Sequence, residues 1–402
     1  MQTTPRGIRP HIAIFGRRNV GKSSLINAIT DQDIALVSST AGTTADPVYK
    51  NIELLPFGPV VLIDTAGLDD VGELGQKRVE ASLKVMKKTD LALVVLEPCD
   101  LLHQSEKELI EMLNQSRVPF IVVVNKCETA PLSQMLKDEI VSRGLEPESV
   151  SSLTGEGIHH LKSVSMQQAL KGFDSGVIVG DLVKPGQVVV LVVPIDVSAP
   201  KGRLILPQVQ TIRDLLDASA LTVVVKETEL RAAIDALKEP PALVVTDSQV
   251  IFKVAATVPP GIPFTGFSVL FARYKGDLKA YINGIAVLEK AGPKARILIA
   301  ESCTHHQMED DIGRVKLPKW LRAKYGDGVT FDFCQGVSFP ANLDSYDLVI
   351  QCGGCMTNRR DILARIDACQ KAGVAVTNYG IVISHLHGVL AEAIKPFGLE
   401  IK

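Results

Sequence analysis

A chain of 402 residues is longer than one ordinary domain, and we expect it to form three. Its composition, 46% hydrophobic and 22% charged residues with a net charge of −2, is typical of a globular protein without a broad nucleic-acid-binding surface. No apolar run approaches the ~20 residues that cross a bilayer, and the N-terminal segment lacks the apolar stretch of a secretory signal. We therefore expect a cytoplasmic protein with neither a membrane nor a nucleic-acid partner.

The first block of the sequence alternates strands with helices. β-Branched runs predict strands at Ile12–Phe15, Val60–Ile63, Leu91–Leu96 and Phe120–Val124, with helical stretches between them. This alternation is typical of a parallel sheet wrapped by helices. We predict an α/β domain over residues 1–172.

Two smaller α/β blocks follow. A junction containing Gly and Ser, residues 171–176, precedes the first of them, and the proline cluster at 259–263 ends it. We predict domains over residues 177–264 and 265–402. The predicted strands of the two blocks are Val188–Val193, Thr222–Val225, Ala242–Val245, Arg296–Ala300, Leu348–Ile350 and Val374–Thr377.

Residues 16–23 read GRRNVGKS and lie between the first predicted strand and a predicted helix, Ser24–Ile29. This is the GxxxxGK[ST] phosphate-binding loop in its strand–loop–helix context. The glycines let backbone N–H groups face phosphate oxygens, Lys22 supplies positive charge to the β and γ phosphates, and Ser23 ligates Mg²⁺. The residues expected to bind nucleotide here are Gly16, Asn19, Val20, Gly21, Lys22, Ser23 and Ser24, with Lys22 also catalytic.

Two further segments complete the predicted magnesium site. Asp64 opens the sequence DTAG directly after a strand, where its carboxylate can bind the metal. Gly67 ends that sequence and can donate its N–H to the γ-phosphate as a switch hinge. In the polar segment between the two motifs, Thr44 is our preferred hydroxyl for the Mg²⁺ shell, the alternative being a surface threonine. We thus expect Ser23, Thr44 and Asp64 to hold Mg²⁺, and Thr44 and Gly67 to contribute to catalysis.

Guanine is the base that the next motif favours. Asn125-Lys126-Cys127-Glu128 directly follows a strand, at the place of the NKxD motif whose acidic residue accepts hydrogen bonds from guanine N1 and N2. Glu128 stands where aspartate is usual and reaches one methylene further, so we expect guanine specificity with weaker affinity. Ser151 and Ser152 then occupy the loop that backs the base.

One loop residue suggests how hydrolysis is assisted. Leu68 follows DTAG, where Ras-like proteins carry the glutamine that orients the attacking water. Asn19 is similar to the asparagine of potassium-activated GTPases of the TrmE type, whose bound cation stands in for an arginine finger. We expect a GTP hydrolase, forming GDP and phosphate, that K⁺ stimulates. The alternative is that Asn19 only turns the loop.

Three cysteines indicate metal chemistry in the third block. Cys303 follows one predicted strand, and Cys352 and Cys355, in the sequence CGGC, follow another. Ligand sites form at the carboxyl ends of strands in open α/β sheets, so these residues can converge if the strands are neighbours. Three thiolates with one further ligand fit zinc or a 4Fe–4S cluster, and a redox pair or buried filler is the alternative. We interpret the remaining cysteines as packing residues: Cys99, Cys127, Cys334 and Cys369.

Together these motifs resemble the FeFe-hydrogenase maturation GTPases of the HydF type over essentially the whole chain. The resemblance rests on three features: a G domain similar to TrmE and Era, a middle domain, and the pattern CxH…CxxC, here Cys303, His305, Cys352 and Cys355. It implies an N-terminal P-loop GTPase domain, two smaller α/β domains, a homodimer through the middle one, and a 4Fe–4S cluster in the last. It also implies a scaffold that accepts a di-iron precursor made by two radical SAM enzymes and delivers it to apo-hydrogenase.

The fourth cluster ligand is left open. Many family members carry a second histidine before CxxC, where this chain has Gln351. The candidates are His305, an exogenous group, or one of the acidic residues Glu309, Asp310 and Asp311.

Two other function classes compete. A translation or tRNA-modification GTPase fits the G domain alone, but we expect no folate-binding domain before it, and the sequence has no second phosphate loop and no GxxG loop of a KH module. A regulatory GTPase with a structural zinc module would use the cysteines only for stability. A brown protein after anaerobic iron and sulfide reconstitution would favour the cluster, and a colourless zinc protein would exclude it.

Overall fold

The computed structural model forms two compact units, residues 1–174 and 175–402. It describes residues 7, 9–31, 47–54, 58–65, 82–99, 101–172, 176–195, 204–302, 311–336, 339–340, 342–354 and 357–401.

Ten of the described strands lie at the β-branched runs of the sequence, and four others were not predicted. They are β1 (His11–Gly16), β2 (Val48–Leu54), β3 (Gly58–Asp64), β4 (Leu91–Leu96), β5 (Phe120–Val124), β6 (Pro147–Ser149), β7 (Val188–Val192), β8 (Leu221–Val225), β9 (Leu243–Thr246), β10 (Phe264–Gly266), β11 (Arg296–Glu301), β12 (Thr330–Gln335), β13 (Leu348–Gln351) and β14 (Ala375–Asn378).

The helices connect these strands. They are α1 (Lys22–Thr30), α2 (Gln104–Gln115), α3 (Gln134–Ser142), α4 (Ile158–Gly172), α5 (Leu206–Asp217), α6 (Leu230–Asp235), α7 (Ile251–Thr257), α8 (Phe267–Lys275), α9 (Leu278–Ala291), α10 (Leu317–Tyr325), α11 (Arg359–Lys371), α12 (Tyr379–Leu386) and α13 (Leu390–Ile394). Among the described residues, no helix combines the length and apolar character needed to span a membrane.

Within the residues described, the first unit contains a six-stranded sheet in the order β2-β3-β1-β4-β5-β6. All pairings are parallel except that of β2 with β3. Strands β1 and β4 are buried along their whole length, as expected for central strands covered on both faces. The parallel strands therefore end at one edge, where Gly16, Asp64, Asn125 and Ser151 lie at or just beyond strand ends.

The second unit contains two four-stranded parallel sheets among its described residues. Their orders are β10-β9-β7-β8 and β12-β11-β13-β14. The α/β class expected for both blocks is confirmed. The boundary expected at 264/265 falls inside β10, because Phe264–Gly266 pairs with β9, so the first of these sheets extends to Gly266.

Helix α8 is shared by the cores of the two sheets. Phe267, Leu270 and Phe271 pack in the cluster that covers β7 and β9, whereas Val269 and Ala272 pack in the cluster around β11 and β13. A helix buried on opposite faces is fixed by both sheets.

Candidate functional site

The phosphate-binding loop runs between the end of β1 and the start of α1. Gly16 has φ 153°, and a Cβ there would lie 2.4 Å from the Val95 carbonyl oxygen. Gly21 has φ 90°, and its Cβ would lie 2.3 Å from Asn125 Nδ2. Both contacts are shorter than any side chain tolerates, so the loop needs glycine at these two positions.

Lys22 points back into this loop. Its side chain is buried, and Nζ donates hydrogen bonds to the carbonyl oxygens of Gly16 at 3.0 Å and Arg17 at 2.6 Å. Asn19, at the top of the loop, is left-handed with φ 62°. The ammonium is thus held at the centre of the predicted phosphate site.

Two of the three predicted magnesium ligands meet. Ser23 Oγ donates to Asp64 Oδ2 at 3.0 Å, joining the start of α1 to the end of β3. Burial raises the pKa of the Asp64 carboxyl, while the hydrogen bond from Ser23 and the charge of Lys22 act in the opposite direction. Thr44 and Gly67, the other predicted residues of this part of the site, lie outside the described residues.

Asn125 ties the phosphate loop to the base-binding loop. Its Nδ2 donates to the Val20 carbonyl oxygen at 3.0 Å, and its Oδ1 accepts from Ser152 N at 3.0 Å and Ser152 Oγ at 2.7 Å. Lys126 Nζ donates to the Asn19 carbonyl oxygen at 2.6 Å. Asn125 and Lys126 therefore connect the phosphate loop to the base-binding loop by hydrogen bonds.

A cavity of about 820 Å³ opens beside this group. A volume in this range suits a small-molecule ligand. Hydrogen bonding from Ser151 lowers the pKa of the exposed Glu128 carboxyl, which is therefore ionised at neutral pH and able to accept two N–H donors. The cavity is lined by Gly21, Ser24, Asn27, Ala28, Asp31, Asn125, Lys126, Glu128, Thr129, Ser152 and Leu153.

Two carboxylates that were not predicted from the sequence form ion pairs with basic residues of the site. Glu106, buried at the start of α2, accepts from Arg17 Nε at 2.7 Å and from the backbone N of His103 at 2.8 Å. Glu97, just after β4, pairs with Lys126. The spacing HxxE before a helix could have indicated Glu106 as a capping residue, but nothing local marks Glu97.

In the second unit, two of the strands that carry the predicted metal ligands are neighbours. β11 pairs with β13 in parallel, and the Cys352 backbone N donates to the Ala300 carbonyl oxygen at 2.9 Å. Ser302 N donates to Cys352 Sγ at 3.1 Å. The two strands are therefore neighbours, which is the condition on which the expected convergence of Cys303 and Cys352 depends, and Ser302, the last described residue before Cys303, contacts Cys352.

Five of the predicted ligand candidates lie outside the described residues: Cys303, His305, Glu309, Asp310 and Cys355. Asp311 is described, and its Oδ1 caps the following turn by accepting from Arg314 N at 2.9 Å. In the part of the chain that is described, no group of His, Cys, Asp and Glu side chains is arranged to hold a metal ion.

Gln351 is buried directly before Cys352. Its Oε1 accepts from Tyr281 Oη at 3.3 Å, and its Nε2 has no hydrogen-bond partner among the described residues. Burial raises the pKa of the Tyr281 phenol, which therefore stays protonated and donates. A buried N–H without a partner is costly, and it can be satisfied by a sulfur or other acceptor at this strand end.

The other described cysteines have the character of packing residues. Burial raises the pKa of Cys369 to about 12 and also raises the pKa of Cys99, Cys127 and Cys334. A raised thiol pKa disfavours the thiolate that metal binding requires.

Three protein-family models match the chain, in consecutive segments. Residues 11–126 match the 50S ribosome-binding GTPase family, residues 178–276 the hydrogen maturase F dimerization domain, and residues 279–396 the hydrogen maturase F tetramerization domain. The last two together cover more than half of the sequence.

Curated relatives and solved structures resemble the chain in part. The tRNA modification GTPase MnmE of Legionella pneumophila (strain Paris) is 34% identical over 160 residues, which cover 39% of this chain and 34% of that protein. The tRNA modification GTPase MnmE of Helicobacter pylori (strain J99) is 40% identical over 121 residues, which cover 30% of this chain and 26% of that protein. The chain thus spans about a third of the length of these relatives. Among solved structures, the chain is similar to Era from Aquifex aeolicus, with 19% identity and a TM-score of 0.37 over 54% of this chain and 93% of Era. It is also similar to elongation factor SelB from Methanococcus maripaludis, with 19% identity and a TM-score of 0.32 over 44% of this chain and 36% of SelB.

Proposed function

Since the chain belongs to the HydF-type hydrogenase maturation GTPases, we propose that it is a scaffold and carrier that receives a di-iron precursor and delivers it to apo FeFe-hydrogenase. The observation that carries this proposal is the run of two hydrogen maturase F domains directly behind a GTPase domain. The proposed partners are the apo-hydrogenase and two radical SAM maturases. The matched dimerization and tetramerization domains indicate an oligomer, and we propose a homodimer through residues 178–276.

The first unit is a GTPase domain that binds GTP and Mg²⁺. In the proposed site, Lys22 Nζ exchanges its loop carbonyls for phosphate oxygens and stabilises charge that develops during hydrolysis. Ser23 and Asp64, already in contact, face Mg²⁺ together. Asn125 keeps the phosphate loop and the base-binding loop in register.

Guanine selectivity tests the role of Glu128. We expect GTP to be preferred over ATP by at least about 100-fold, since a site built to pair with N–H donors rejects analogues that lack them by large factors. Glu128→Ala should remove most of this preference, whereas Glu128→Asp should keep it. Binding of labelled GTP and ATP measures both. Similar affinity for the two nucleotides in the wild-type protein would exclude Glu128 as the base-recognition residue.

Replacing Na⁺ with K⁺ tests the role of Asn19. We expect GTP turnover to rise at least about tenfold, a small part of what an arginine finger contributes. The physical reason is that an asparagine oxygen can hold K⁺ beside the β and γ phosphates. Turnover of Asn19→Ala should be equally slow in both salts, and an undiminished K⁺ response in that variant would remove Asn19 from the mechanism.

Two contacts among the described residues of the second unit support the proposal of a thiolate-bound cluster. Cys352 Sγ already accepts an N–H from Ser302, and the buried Nε2 of Gln351 is a further donor at the same strand end. Hydrogen bonds of this kind stabilise negatively charged sulfur. We propose Cys303, Cys352 and Cys355 as ligands, with His305, an acidic residue of 309–311 or an exogenous group as the fourth. When bound, a 4Fe–4S cluster would supply an iron whose weak ligand the di-iron cargo can replace.

Anaerobic reconstitution tests this proposal against a structural zinc site. We expect the purified chain to take up iron and sulfide and to turn brown. Uptake of zinc instead, in a colourless protein with full GTPase activity, would favour a regulatory GTPase with a structural metal module.

A further inference from the structure

Lys275 holds the backbone of the CGGC loop. It is the last residue of α8 and only 2% exposed, and its Nζ donates to the carbonyl oxygens of Gly354 and Thr357, each at 2.9 Å. Cys355 is bonded to Gly354 and lies two residues before Thr357. One ammonium group therefore fixes the main chain on both sides of a proposed ligand.

Gly354, on the described side of this loop, is closely packed. Gly354 has φ 58°, and a Cβ there would lie 2.7 Å from Ile362 Cδ1. The Phe271 ring lies 6.0 Å from Lys275 Nζ and closes off one side of the ammonium. One of the two carbonyl groups that Lys275 holds thus belongs to a glycine that packs against α11.

The position of Lys275 is set by both sheets. Phe271 belongs to the core over β7 and β9, and Ala272, on the same helix, belongs to the core around β11 and β13. A lysine at the end of such a helix cannot move without disturbing both cores.

Burial of the Lys275 charge against the backbone that follows Cys352 has an electrostatic consequence. An ammonium removed from water acts more strongly on nearby charges than an exposed one, since solvent screens it less. It favours the more negative, reduced form of a cluster bound nearby.

We propose that Lys275 is a positioning residue of the metal site. It holds the carbonyl groups of Gly354 and Thr357, the described residues on either side of Cys355 in the sequence, and its positive charge favours the reduced form of the cluster. This inference rests on the proposed cluster in the second unit.

The test compares three variants after anaerobic iron and sulfide reconstitution. Lys275→Met removes both the charge and the hydrogen bonds, Lys275→Gln removes the charge but keeps a donor, and Lys279→Met removes one exposed charge from α9 as a matched control. The readouts are the chelator concentration that strips half the iron, the midpoint potential, and thermal unfolding of the metal-free protein as a control of folding.

We expect Lys275→Met to lose iron at a roughly 10- to 100-fold lower chelator concentration, the size of effect usual for residues that orient ligands. Lys275→Gln should keep more iron but show a more negative midpoint potential, and Lys279→Met should match the wild type. If Lys275→Met fails to fold, the midpoint potential of Lys275→Gln tests the inference by itself. Wild-type iron retention and potential in the Lys275 variants would overturn the inference alone, whereas a wild-type protein that binds no iron would overturn the proposed cluster itself.

Discussion

Lys22→Ala is expected to lower the rate of GTP hydrolysis by roughly 100- to 1000-fold, the loss usual when a group that stabilises transition-state charge is removed. The Lys22 ammonium is buried inside the phosphate loop, held by the carbonyls of Gly16 and Arg17, and no other described lysine occupies that place. The measurement is phosphate release at saturating GTP and Mg²⁺.

The matched control is Lys137→Ala, which removes an exposed lysine from α3 in the same unit. Its turnover should equal that of the wild type. Iron uptake by Lys22→Ala should also be unchanged, because the proposed cluster ligands belong to the other unit. Near-normal hydrolysis by Lys22→Ala would mean that phosphate binds elsewhere.

Cys352→Ala is expected to reduce bound iron from about four atoms per chain, the content of one 4Fe–4S cluster, to close to none. The reason is that two remaining thiolates do not hold a cluster that three must anchor, and that the Ser302 N–H loses its sulfur acceptor. Cys303→Ala and Cys355→Ala should behave alike. Iron and sulfide analysis after reconstitution, with the visible absorption spectrum, measures the effect.

Cys369→Ala serves as the comparison. Cys369 is fully buried in α11 with a pKa raised by burial, so its thiol stays protonated and its loss should affect packing but not iron content. If Cys369 or Cys334 proved as necessary for iron as Cys352, the proposed set of three cysteines would be wrong.

Most of the strand positions could be predicted because central parallel strands are continuous apolar runs. β4 and β5 have the bounds that Leu91–Leu96 and Phe120–Val124 indicated. β2 was missed because it is an edge strand, antiparallel to β3, whose residues include Lys50, Asn51 and Glu53. An edge strand with polar side chains lacks the signal that marks buried ones.

The residues of the candidate site could likewise be predicted only in part. Residues within contiguous motifs, such as Lys22 and Asn125, could be found because each motif fixes a local backbone shape. Glu97 and Lys275 could not be found, and Glu106 could be found only as a capping residue, because their contacts in the site form only after folding. Lys275 donates to carbonyl oxygens that lie 79 and 82 residues further along the sequence. Thr44, Gly67, Cys303 and Cys355 stay predictions from the sequence.

The proposed function, delivery of a di-iron unit to hydrogenase, is tested most directly by a transfer assay. The chain would be purified after co-production with the two radical SAM maturases and mixed with apo FeFe-hydrogenase under anaerobic conditions, with hydrogen evolution as the readout. We expect activity that rises in proportion to the amount of chain added and that is absent when Cys352→Ala replaces it. An iron-loaded chain that yields no hydrogenase activity at any ratio of chain to apo-hydrogenase would exclude the proposed carrier function.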